Sequence, residues 1–176
     1  LISNGNLISL QSSADNMGGI DEREVLDACC GGKHWWFDKN DPEMWGLDIR
    51  SEPKGTIAVQ PNWCVEPDFV GSYTDLPFRD HQFRLIVWDI PHKLKADSGL
   101  ITKKYGFLGS RWAEDTKKGF EECWRCLAPG GTLVFKWNDL DVKVSTMLNL
   151  FHTKPKVGTM TKKGVNNTYQ LIFYKP

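Results

Sequence analysis

Val25-Leu26-Asp27-Ala28-Cys29-Cys30-Gly31-Gly32 is the stretch that decides the fold. A short apolar run is closed by paired glycines, the pattern of a buried parallel strand that turns sharply at its carboxyl end. Outward from it, Trp45-Gly46-Leu47-Asp48-Ile49 is a second short run ending near an acid. Phe69-Val70 and Leu85-Ile86-Val87-Trp88 are further strand segments. Asp115 to Leu127 carries apolar residues at helical spacing (Phe120, Cys123, Trp124, Leu127) and stops at the breaker Ala128-Pro129-Gly130-Gly131. Thr132 to Trp137 follows as a strand, Leu140 to Phe151 as a helix, and Thr168 to Tyr174 as a last strand. Gly164-Val165-Asn166-Asn167 forms a turn before that strand, which predicts an antiparallel edge hairpin with a strand around Val157. Strands alternating with helices predict an α/β domain with a mostly parallel sheet.

A chain of 176 residues argues for one domain, placed at 21–176, with residues 1–20 an N-terminal segment expected to be mobile. No apolar run is long enough to span a membrane, and the apolar start lacks the basic flank of a signal peptide, so no membrane partner is expected. Five cysteines, an odd number, fit a reduced, cytoplasmic setting. Cys123-x-x-Cys126 falls within the expected helix and reads as packing, not as zinc ligands; no metal is expected. The formal net charge is zero, so there is no global electrostatic case for nucleic acid. Two local clusters are basic: Lys93, Lys95, Lys103, Lys104 and Arg111, and Lys154, Lys156, Lys162 and Lys163.

In open parallel sheets, ligands bind beyond the carboxyl ends of the strands, where strand order reverses. Gly31 and Gly32 let the backbone approach a ligand there. Asp48, about 20 residues after the first strand, stands where a carboxylate accepts hydrogen bonds from ribose hydroxyls. The G-x-G-x-x-G dinucleotide fingerprint is absent, which disfavours a nicotinamide cofactor.

From Val25 to about Asn138 the chain resembles class I methyltransferases, which use S-adenosylmethionine (SAM). Val25 to Gly32 is similar to their first motif and Asp48 to their ribose-binding acid. Asp75-Leu76-Pro77-Phe78-Arg79-Asp80-His81-Gln82-Phe83 resembles their "LPF-x-D-x-x-F" segment, and Glu122 to Phe135 their "E-x-x-R-x-L-x-P-G-G-x-L" passage. Asp27-Ala28-Cys29-Cys30-Gly31, Trp36-Phe37-Asp38-Lys39-Asn40 and Asp89-Ile90-Pro91-His92 resemble a group of small phage and bacterial methyltransferase-like proteins with a "D-P-P-H" motif. The resemblance implies a three-layer Rossmann-like sandwich with a seven-stranded sheet and an antiparallel C-terminal hairpin. It implies cofactor contacts from Asp27, Cys29, Gly31 and Asp48, with Ser72, Tyr73 and Leu76 on the adenine side. Ser72 replaces the acid many relatives carry there. Trp35-Trp36-Phe37 reads either as a pocket wall or as core packing.

Enzymes of this class that methylate exocyclic amines of nucleobases carry a "D/N-P-P-Y/F" motif at the end of the fourth strand. By that likeness Asp89 accepts hydrogen bonds from the target amine and Pro91 fixes the turn. His92, replacing the usual aromatic ring, either stacks on the base or acts as a general base. His92 to Trp112 reads as a lid rich in glycine, aromatic and basic residues, with Tyr105 a substrate contact; Lys136 and Asn138 face the same rim. The expected activity is N-methylation of a nucleic-acid amine or a nucleobase-like one, with RNA, single-stranded DNA or a small molecule as partner. The alternatives are a small-molecule or protein methyltransferase, and a non-catalytic SAM-binding module.

Overall fold

The structure, a computed structural model, describes residues 23–163 and 165–176. The expectation for residues 1–20 lies outside the described residues. Seven strands form one sheet: β1 (Val25–Asp27), β2 (Met44–Asp48), β3 (Phe69–Val70), β4 (Phe83–Trp88), β5 (Leu127–Asn138), β6 (Val157–Lys163) and β7 (Asn166–Tyr174). Their order is β3-β2-β1-β4-β5-β7-β6. The five strands from β3 to β5 pair in parallel, whereas β7 runs antiparallel to both β5 and β6. The strand order reverses between β1 and β4, so the crevice for a ligand opens at their carboxyl ends.

β1 and β4 sit mid-sheet, which is why Leu26, Ile86 and Trp88 are fully buried. β5 alternates instead: Leu133, Phe135 and Trp137 enter the core, while Lys136 and Asn138 turn to the other face and stay half-buried. Helix α1 (Leu100–Tyr105) and helix α2 (Trp112–Cys126) lie between β4 and β5, and α3 (Val144–Leu148) follows β5. α2 buries Thr116, Gly119, Phe120, Cys123 and Cys126, a stripe at three- and four-residue spacing. Glu114 and Asp115 in its first turn and Arg125 in its last complement the helix dipole. Lys175 Nζ donates to the carbonyl oxygens of Trp124 and Leu127 (2.6 and 2.7 Å), satisfying acceptors at the helix end. The ring of Phe120 stacks on Phe151 at 4.1 Å between centroids, and Trp88 meets Phe135 at 4.9 Å.

Among the described residues, helices are confined to the connections after β4; those from β1 to β2 and from β2 to β3 are turns and bends. The sheet and its C-terminal hairpin are therefore as expected, while the sandwich of three layers has no helices from these two connections. The helix expected over Leu140–Phe151 contracts to α3. The Val144 N–H donates to the buried Asp139 carboxylate (2.8 Å) and Trp137 Nε1 to the Val142 carbonyl (2.8 Å), holding residues 140–143 as a turn. The breaker at Ala128–Gly131 ends α2 and already belongs to β5, where Gly130 N–H donates to the Lys175 carbonyl (2.8 Å).

The two motif segments after β3 and along α2 meet in space. Arg125 donates to Glu122 (2.8 and 2.9 Å), Asp80 (2.7 Å) and the carbonyls of Phe78 (2.8 Å) and Leu76 (3.1 Å). Glu122 in turn accepts the Leu76 N–H (2.9 Å). Their spacing in sequence thus records a clamp between one loop and one helix.

Candidate active-site cleft

A cleft of about 510 Å³ opens beyond the strand ends, within the ~300–1,000 Å³ usual for small-molecule sites. Cys29 and Gly31 reach it from the turn after β1, and Asp48 from the end of β2. Asp89, Pro91 and His92 enter from the end of β4; Lys136 and Asn138 from β5; Tyr105 from α1. The sheet order thus brings together nine residues expected at the site, from five separate elements or turns. Asp27, Ser72, Tyr73 and Leu76 do not line the cleft.

Each strand end places its acid differently. Asp48 is 3 % exposed; its Oδ2 accepts the Gly31 N–H (2.9 Å) and its Oδ1 the Arg50 N–H (2.9 Å), with Arg50 Nε at 3.4 Å. Gly31 adopts φ 47°, in the left-handed region, and this aims its N–H at the carboxylate. An ionised carboxylate offers about four acceptor sites, so Oδ2 keeps room for a hydroxyl group. Asp27 lies deeper, 1 % exposed, beneath Trp36, whose Nε1 donates to its Oδ2 (2.8 Å). Burial, with Asp89 and Asp48 adding repulsion, pushes its carboxyl up to about 7 against the hydrogen bonds from Trp36 and Cys29.

Asp89 stands at the cleft wall with a side chain 19 % exposed. Its Oδ2 accepts Trp35 Nε1 (3.0 Å) and Lys136 Nζ (2.5 Å). His92 Nε2 approaches Oδ1 at 3.2 Å, but off-line: this buried nitrogen has no aligned hydrogen-bond partner among the described residues. Burial works to raise the Asp89 carboxyl; the neighbouring His92 and Lys136 outweigh it and hold it below the usual carboxylate range. Asp89 is therefore an anion at neutral pH. The Cys29 and Cys30 thiols are pushed up, by burial first and then by the nearby carboxylates, and stay neutral.

Trp35 and Trp36 divide their work. Trp35 lines the cleft and holds Asp89; Trp36 covers Asp27; Phe37 points fully into solvent. The segment read as a lid is ordered around Asp97, which accepts from Lys93, Gly99 N–H (3.0 Å) and Thr102 Oγ1 (2.5 Å). Arg50 reaches across to the Lys103 carbonyl (3.4 Å). Ser72 pairs with Thr74 (2.8 Å). Tyr73 packs its ring against Trp88 at 5.7 Å, and Leu76 is buried. Burial raises the Tyr73 phenol, which stays protonated. Tyr73 thus supports the end of β4 from behind, and none of the three lines the cleft.

The sequence did not single out Arg50, His34, Ile101, Thr168 or Gln170, all of which line the cleft. For Thr168 and Gln170 the signal is the hairpin register, which sets them opposite Asn138 and Lys136. Asn138 Nδ2 donates to Thr168 Oγ1 at 2.8 Å.

Fold comparison sets this chain beside solved structures. A SAM-dependent methyltransferase from Methanosarcina mazei superposes with a TM-score of 0.51 at 15% identity, covering 86% of this chain and 92% of that one. This chain shares that protein's fold. The N-methyltransferase NodS from Bradyrhizobium japonicum gives 0.55 at 13% identity, over 86% of this chain and 85% of NodS. A protein from Pyrococcus horikoshii gives 0.55 at 16% identity, over 86% and 81%. No protein-family model and no curated sequence matches the chain, so the likeness to the phage and bacterial group rests on its residues alone. Among the described residues, no helix is long and apolar enough to cross a membrane.

Proposed function

We propose that this chain is a SAM-dependent methyltransferase that methylates an exocyclic amine on a nucleobase-like or nucleic-acid substrate. One observation carries the reading: at the point where strand order reverses, Asp48 and the Asp89-Ile90-Pro91-His92 turn face the same cleft. The cofactor fits the chemistry of these residues. Asp48 Oδ2 is placed for a ribose hydroxyl, and the Asp89 anion at the cleft wall favours a nearby positive charge. SAM supplies an activated methyl group on a positively charged sulfur.

The chain's own residues then orient the acceptor. Asp89 is an ionised acceptor at the wall, so a target amine can take the place of Lys136 Nζ on Oδ2 and direct its lone pair into the cleft. His92 Nε2, buried 3.2 Å from Asp89 Oδ1, is the base placed to take, by way of that carboxylate, the proton the amine sheds. Tyr105 and Trp35 offer flat surfaces to a planar substrate.

Calorimetry with SAM tests the cofactor: micromolar binding is expected in the native chain, and Asp48→Ala is expected to abolish it. No binding of SAM or its demethylated product to the native chain would sink the reading. A second reading, cofactor binding without turnover, draws on Asp89 being already engaged by Trp35 and Lys136. Turnover that disappears in Asp89→Ala while SAM binding persists rules that reading out.

A further inference from the structure

Behind the glycine turn lies a second cleft of about 530 Å³, which shares Gly31, Gly32 and His34 with the first. Its lining carries Lys33, Lys39 and Lys54 against a single carboxylate, Glu66. Lys39 Nζ donates to the Gly32 carbonyl (2.9 Å), which fixes it on the cleft wall, while the Lys33 ammonium lies 3.8 Å from Asp68. Lys54 is exposed at the mouth.

The lining holds an unmet donor. Trp63 is 7 % exposed, and its indole N–H is buried without a partner among the described residues. A buried N–H left without an acceptor costs free energy, so one on a lining residue, beside the space that Gly32 leaves, points to a ligand oxygen. The site is also hollowed by a missing side chain. A Cβ on Gly32 would stand 3.4 Å from Trp63 Nε1 and 3.0 Å from His34 Nε2, so two ring nitrogens converge on the space that glycine leaves. Burial and then the charges of Lys39, Lys104 and Lys136 hold His34 below its usual range. The imidazole is thus neutral at pH 7, and the positive potential comes from the lysines.

We propose that this second cleft is an anion site that holds a phosphate of the acceptor substrate, one turn away from the methyl-transfer cleft. Lys39 and Lys54 supply the charge, Lys33 being already paired with Asp68, and the Trp63 N–H supplies direction. The methyl-transfer reading is needed only to say that the phosphate belongs to the acceptor. The site itself stands on its own residues.

The test uses cytidine 5′-monophosphate, cytidine, and a single-stranded pyrimidine hexamer as probes. Each is titrated into the full chain with and without S-adenosylhomocysteine. Cytidine 5′-monophosphate is expected to bind at least roughly tenfold tighter than cytidine, as charge-assisted contacts imply. Lys54→Gln and Trp63→Phe are each expected to weaken it by roughly fivefold or more, with S-adenosylhomocysteine binding unchanged. Lys54 is exposed, so its variant folds whatever Trp63→Phe does. Tight binding of the monophosphate identifies a small phosphorylated substrate. Tight binding of the hexamer instead, salt-dependent and weakened by Lys54→Gln, identifies a nucleic-acid backbone. Equal affinity for monophosphate and nucleoside, together with hexamer binding that ignores both variants, overturns the site. A chain that takes the phosphate probes but not S-adenosylhomocysteine would instead overturn the cofactor reading alone.

Discussion

Three acids at three strand ends behave as three different residues. Asp48 is hydrogen-bonded by backbone and stays available; Asp89 is an anion held by Lys136; Asp27 is sealed beneath Trp36. The sequence marked all three positions, but it could not distinguish the exposed from the sealed, because Trp36 reaches Asp27 across a turn that follows no periodic pattern. Asp27 therefore supports the loop, and its cost is visible in pH. Its carboxyl moves from an ordinary 3.8 to about 7 in the folded chain. Between those values the folded chain holds a proton that the unfolded chain has lost. Its contribution to stability accordingly falls as pH rises from about 4 to about 7, then levels off, with a total on the order of 4 kcal/mol. Asp27→Asn keeps an acceptor for Trp36 and removes the buried charge. Compared with the native chain by urea unfolding, it is expected to match near pH 4 and to be more stable at pH 8. A stability difference that does not change with pH would refute this account.

At the scale of elements, strand cores were readable because short apolar runs ended at turn residues. Helix α2 was readable from its spacing, although it begins at Trp112, ahead of Asp115. The length of α3 was not, because the turn before it depends on buried partners of Asp139 and Trp137. The face of α2 also carries a glycine whose role is space. A Cβ on Gly119 would stand 2.5 Å from Tyr73 Cδ2 and 2.8 Å from Trp88 Cζ2. Alanine improves helix propensity by about 1 kcal/mol, but forcing a methyl into packed rings costs about 1–3 kcal/mol or more. Trp88 is fully buried and cannot withdraw, so packing wins. Gly119→Ala is expected to lower stability by about 1–2 kcal/mol in urea denaturation, the reverse of an exposed Gly→Ala change. Unchanged or increased stability would show that α2 shifts freely on the sheet.

Across the whole molecule, the cleft belongs to no single element. Asp48 comes from β2, Asp89 from the end of β4, Lys136 from β5 and Thr168 from β7. The parallel part of this set was legible, since each contributor ends an apolar run. The β7 contributors were not, because their position is set by antiparallel register with β5. A ligand that bridges these strands binds only when they are assembled, so it stabilises the folded chain by mass action. At 100 times its dissociation constant the gain is about 2.7 kcal/mol, and for a chain of this size roughly 2–4 °C of melting temperature follows each kcal/mol. SAM at that excess is therefore expected to raise the melting temperature by roughly 5–10 °C. Asp48→Ala removes the side chain that receives Gly31 and Arg50, so the rise should vanish in it. Lys54→Gln, in the second cleft, should preserve the rise in full. A rise of equal size in Asp48→Ala would mean that SAM engages the chain elsewhere.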